Sequence, residues 1–158
     1  MHVRDWMSPD PTTLNPDASV REARQLMGYY GCRHIPVIAN DRLVGIVSDR
    51  DVRIDDDILR RAVENSRTKL DERLSQVMSS PPHTIDPDAS VEAAARIMLS
   101  WRVSALPVVE DNRCVGIITT TDCLLAALSI PSECWGAKER VEHMLEVSIE
   151  SPRRSAAR

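Results

Sequence analysis

Apolar residues recur along this chain in two rhythms, and each rhythm occurs twice. Val20, Ala23, Leu26, Met27 and Tyr30 stand three or four positions apart, as do Val91, Ala94, Ile97, Met98 and Trp101. That spacing places the side chains on one face of an α-helix. Each series is preceded by Pro-Asp-Ala-Ser, ending at Ser19 or Ser90, and a serine there caps the unpaired N–H groups of a first helical turn. Glu22, three residues after Ser19, completes a capping box; the second copy has Ala93 at that place and keeps only the cap.

The second rhythm is that of a β-hairpin. HIPVIA and ALPVVE are followed by the turn pairs Asn40-Asp41 and Asp111-Asn112, and then by RLVGIVS and RCVGIIT. A short extended piece is expected before each helix, at residues 12–14 and 83–85, and a second short helix from Asp49 and from Thr120. The predicted order is β-α-β-β-α, twice, an α+β fold of two small sheets with flanking helices.

The duplication is visible directly. A shift of 71 positions brings residues 7–52 onto 78–123 without a gap, and 18 of the 46 pairs are identical, among them Met7/Met78, Pro36/Pro107, Gly45/Gly116 and Asp51/Asp122. A long period seen only twice predicts a compact unit packed on its twin, not an open solenoid. The expected organisation is a first repeat over residues 1–60, a linker helix over 61–76, a second repeat over 77–130, and a C-terminal helix and tail over 131–158. Aspartates 55–57 read as a solvated helix entry, with metal binding as the alternative; residues 138–147 are amphipathic, and the Pro-Arg-Arg-Ser that follows reads as a frayed tail.

Charge and composition narrow the function. The net charge is −4 with both signs interspersed, so no broad basic field is present to hold a nucleic-acid backbone. No apolar run approaches the roughly 18 to 20 residues of a membrane span, and Asp5 interrupts any signal-peptide core; a cytoplasmic location is expected. Cys32, Cys114, Cys123 and Cys134 form no C-x-x-C pair and the histidines are scattered, so the thiols read as reduced core residues and no metal site is predicted. Ser48, Cys32 and His34 lack any accompanying nucleophile motif, so an enzyme is not expected.

IPVIANDRLVGIVSDRD and LPVVEDNRCVGIITTTD resemble the signature of cystathionine-beta-synthase (CBS) domains over most of the chain. The opening VRDWMSPDP with the isolated pair also resembles the N-terminal part of acetoin-utilization-type bacterial CBS proteins. The resemblance implies two repeats packed through their sheets, with two related clefts that take adenosine-containing ligands, and flat, disc-like homodimers.

It also implies site residues. Asp51 and Asp122 match the aspartate that accepts hydrogen bonds from both ribose hydroxyls, a good fit of two acceptor oxygens to a vicinal diol. Ser48 and Thr119 sit where a strand meets a helix and free N–H groups favour a phosphate. Thr13 and Thr84, with the backbone around Ile35-Pro36 and Leu106-Pro107, match the lining of the adenine pocket. Yet S-D-R-D and T-T-T-D are equally capping boxes, in which the aspartate holds its own helix start. The copies differ in charge: Arg33, His34 and Arg50 suit a di- or triphosphate, whereas the second copy has Ser104, Ala105 and Thr121 there and only Arg102 nearby.

The expected function is a non-catalytic regulatory module with no obligatory cofactor. It would bind AMP, ADP, ATP or S-adenosylmethionine between its repeats and act in trans on an effector protein. The alternative is a ligand-independent dimeric interaction scaffold. Nucleic acid, through Arg153-Arg154, and membrane are not expected partners.

Overall fold

The computed structural model describes residues 1–53 and 69–128. After a 3-10 turn at Val3–Asp5, the elements are β1 (Ser8–Pro9), α1 (Val20–Tyr30), β2 (His34–Ala39) and β3 (Arg42–Ser48). A 3-10 turn at Lys69–Asp71 then leads to α2 (Leu74–Val77), α3 (Val91–Trp101), β4 (Ala105–Glu110), β5 (Arg113–Thr119) and α4 (Thr120–Ala127).

The caps form as the sequence specifies. Ser19 accepts from the Glu22 N–H and Glu22 returns to the Ser19 N–H, while Ser90 accepts from the Ala93 N–H alone. Asn40 and Asp41 both have positive φ, as do Asp111 and Asn112, the conformation of a tight two-residue hairpin turn whose twist matches the strands. Both hairpins slip register at the same place, between Val37 and Ile38 and between Val108 and Val109. The shift leaves Val44 and Val115 as the extra residues of matching bulges.

The two apolar cores exchange their opening segments. Val3, Trp6 and Met7 pack into the core of the second copy with Val91, Met98, Leu106 and Ile118. Leu74, Val77 and Met78, just ahead of the second copy, pack into the core of the first with Val20, Met27, Ile35 and Val47. Backbone pairing follows the exchange: Ser8 and Pro9 lie opposite Ile117 and Gly116, while Ser79 bridges Ile46. The glycines explain why this is possible. A Cβ on Gly45 would collide with Met78 Sδ and reach 3.2 Å from the Ser79 carbonyl; one on Gly116 would do the same to Met7 Sδ and the Ser8 carbonyl. Filling either space is an overpacking change that typically costs about 1–3 kcal/mol.

Some expectations are modified. The extended pieces before each helix reduce to single bridges, Leu14 with Val37 and Ile85 with Val108. Tyr30 and Trp101, expected on the packed face, are 47% and 62% exposed. Each is the last residue of its helix, one turn past Met27 or Met98, where the covered face ends. The helix expected from Asp49 is a hydrogen-bonded turn as far as Arg53. Its continuation, aspartates 55–57, residues 61–68 of the linker, Cys134, the stretch 138–147 and the tail lie outside the described residues.

Candidate functional site

His34 opens β2 and lies opposite Ser48, the last residue of β3. The Asp49 N–H donates to the Arg33 carbonyl at 2.9 Å, tying the strand exit to the strand entry. Asp51 then reaches back to Ser48 across the turn that follows. The Ser48 N–H and hydroxyl both donate to Asp51 Oδ2, each at 2.7 Å. The second copy repeats this: the Thr119 N–H and hydroxyl donate to Asp122 Oδ2 at 2.8 and 2.7 Å, and Thr119 Oγ1 accepts from the Asp122 N–H. Both aspartates therefore cap their own turns through one oxygen. They differ in surroundings, since Asp122 is only 1% exposed while Asp51 is half-buried at a cleft wall.

That cleft lies between the repeats and has a volume of about 780 Å³, within the roughly 300–1,000 Å³ of small-molecule sites. Arg33, His34, Ser48, Asp49, Arg50 and Asp51 form one wall; Arg102 and Ser104 come from the second copy; Ser79, Ser80 and His83 come from the segment docked on β3. Three arginines face two aspartates. Arg33, Arg50 and Arg102 make no salt bridge to any described residue; the ion pairs among the described residues are those of Arg4, Arg21, Arg73 and Arg96, away from the cleft. The guanidinium groups are thus available to an anion.

His34 links the two copies, its Nε2 lying 3.0 Å from Ser104 Oγ. Burial holds the imidazole below its ordinary pKa; Asp49 and Asp51 oppose this, Arg33 and Arg50 add to it. The ring is therefore neutral near pH 7. Ser48 gives its hydroxyl proton to Asp51 and not to His34, and burial pushes the Cys32 thiol up. A raised thiol carries little thiolate.

The structure brings together Arg33, His34, Ser48, Arg50, Asp51 and Ser104 of the residues selected from the sequence. Ile35, Pro36, Leu106 and Pro107 are buried in their strands, and the Pro36 and Pro107 carbonyls accept from the Leu14 and Ile85 N–H groups. Thr13 is exposed. Thr84 lines a separate, smaller cleft of about 320 Å³ with Arg42, Pro81 and Asn112. Thr119, Thr121 and Asp122 line neither of these clefts. Sequence reasoning missed Ser79, Ser80, Pro81, Pro82 and His83 as cleft residues. The repeat does not say which hairpin each opening segment meets, and the exchange brings Ser79 and Ser80 onto β3 of the first copy. Among the described residues no group of three or more His, Cys, Asp or Glu side chains is placed to hold a metal ion, and no helix is long and apolar enough to cross a membrane.

Two hairpin-and-helix units that exchange their first segments define a duplicated module with a polar cleft between its halves. The family model of the CBS domain matches residues 3–54 and 74–129, and the chain belongs to the CBS-domain family. The CBS domain pair of protein MJ0100, solved with 5′-methylthioadenosine and S-adenosyl-L-methionine, has a TM-score of 0.68 at 25% identity, over 82% of this chain and 97% of that one. CBSX2 from Arabidopsis thaliana in complex with AMP has a TM-score of 0.66 at 29% identity, over 81% and 96%. The AcuB protein of Vibrio cholerae has a TM-score of 0.65 at 30% identity, over 96% and 97%. Homoserine O-acetyltransferase of Methanohalophilus mahii is 36% identical over 125 residues, 78% of this chain and 24% of that one. The chain spans about a quarter of the length of that enzyme, and about a fifth of an inosine-5′-monophosphate dehydrogenase from Korarchaeum cryptofilum.

Proposed function

We propose that the cleft at Asp51 binds an adenine nucleotide and that occupancy regulates a partner protein in trans. The observation that carries this reading is the convergence of Asp51 with Arg33, Arg50 and Arg102 on one open cleft between the repeats. Asp51 Oδ1 has no hydrogen-bond partner among the described residues and suits the two hydroxyls of a ribose. The arginines suit a phosphate chain. Relatives of the same fold solved with AMP, and with 5′-methylthioadenosine and S-adenosyl-L-methionine, support the ligand class. A ligand that contacts both repeats shifts a partner by preferring one arrangement of them. Leu124 on α4 and Leu128 at its C-cap, both exposed and four residues apart, support pairing with a second copy.

The second reading, a ligand-independent scaffold, is favoured by the capping boxes, which give both aspartates a local role. Isothermal titration with AMP, ADP, ATP and S-adenosylmethionine separates the two. The nucleotide reading expects saturable binding that Asp51→Ala weakens by about 10-fold or more, since a hydrogen bond to a charged group contributes about 1.5–3 kcal/mol; Asp122→Ala leaves this cleft intact. No binding at millimolar ligand, or binding untouched by Asp51→Ala beyond a cap-sized stability loss of about 0.5–2 kcal/mol, overturns it in favour of the scaffold.

A further inference from the structure

His83 lines the cleft and is stacked on Trp101, with ring centroids 4.3 Å apart and planes inclined by 26°. Trp101 does not line the cleft and is 62% exposed, so the indole backs the imidazole from outside. Stacking on a large ring that is itself the last residue of α3 fixes the plane of His83 without any hydrogen bond to a described residue. The first copy has no counterpart. Thr12 stands where His83 does, and Tyr30, in place of Trp101, meets Tyr29 edge to face at 4.9 Å and 87°.

A flat ring held in one orientation at the wall of a polar cleft is a stacking platform. We infer that the His83–Trp101 pair is the base-recognition element of this cleft: the planar heteroaromatic base of the nucleotide packs on the open side of His83, while the arginines take the phosphate end. The inference rests on the nucleotide reading above. It assigns base recognition to a pair present in one copy only, and to stacking, which tolerates any planar base.

AMP and ribose 5-phosphate are titrated into the full chain, wild type, His83→Ala, His83→Phe and Trp101→Ala. Base stacking accounts for about 5-fold or more in affinity per base. AMP binding should therefore weaken by at least that factor in His83→Ala, by less in Trp101→Ala, and recover in His83→Phe. Competition by ribose 5-phosphate should be unchanged in all of them, which a merely structural role for His83 would not produce. Wild type that binds AMP while His83→Ala binds it equally well, or loses AMP and ribose 5-phosphate together, overturns the stacking role alone. Wild type that takes up no AMP overturns the nucleotide reading and this inference with it.

Discussion

The two copies share a backbone and differ in what their cleft-facing positions carry. Arg33, His34 and Arg50 of the first correspond to Ser104, Ala105 and Thr121 of the second, and Gly31 of the first to Arg102 of the second. The buried positions tell the opposite story: Met7 and Met78, Gly45 and Gly116, Pro36 and Pro107 are identical and do identical work. Duplication constrains a core because each half must accept the other's opening segment. It leaves cleft residues free to diverge, because the fold does not depend on them.

The largest expected effect follows from converting the first copy to the second. Arg33→Ser with Arg50→Thr removes two guanidinium groups that pair with no described residue, so the fold keeps its stability. ATP affinity should fall about 10- to 100-fold, the range of one charge-assisted hydrogen bond, while adenosine affinity holds. Titration of both ligands at fixed ionic strength checks it. An equal loss for ATP and adenosine, or none for either, would show that the charge difference between the copies is not what selects the ligand.

A smaller effect tests the helix ends. α1 stops at Gly31 with φ 64°, and α3 stops in the same left-handed turn at Arg102 with φ 54°. An L-residue pays a steric cost there that glycine does not. Arg102→Gly should raise stability by about 1 kcal/mol or less, roughly 2–4 °C in thermal midpoint, and weaken ATP binding. Stabilisation with ATP affinity intact would place Arg102 outside the phosphate site.

Much of this was legible in the sequence. The 71-residue period, the serine caps at Ser19 and Ser90 and the turn pairs at Asn40 and Asp111 place α1, α3 and both hairpins. Such signals are local, and local signals report secondary structure. The exchange of opening segments was not legible. A repeat is the same whether Met7 packs on Gly45 or on Gly116, and only the three-dimensional fit of a thioether against a missing Cβ decides it. That one ambiguity also hid Ser79, Ser80 and His83 from the cleft. The exposure of Trp101 was hidden for another reason: helical spacing gives the face of a residue but not whether the neighbouring layer extends far enough to cover it.

The smallest expected effect concerns His34, which Ala105 replaces in the second copy. In the folded protein burial holds its pKa below the ordinary value of about 6.5, so as pH falls the unfolded chain takes up the proton first. The contribution of the neutral ring to stability is therefore fully present above that ordinary value and is lost as pH drops from there through the folded pKa. The groups that set the slope are Asp49 and Asp51, which favour the proton, and Arg33 and Arg50, which oppose it, with Arg102, His83 and the Ser104 hydroxyl also facing the cleft. Thermal midpoints measured on the acid side of neutrality should decline less steeply in His34→Gln than in wild type. A phosphate bound beside the ring adds a negative charge and favours the protonated form, so saturating ATP should flatten the wild-type decline as well. Ala105 has no proton to bind, and a decline that ATP leaves unchanged would mean that the phosphate lies away from His34, at the Arg102 end of the cleft.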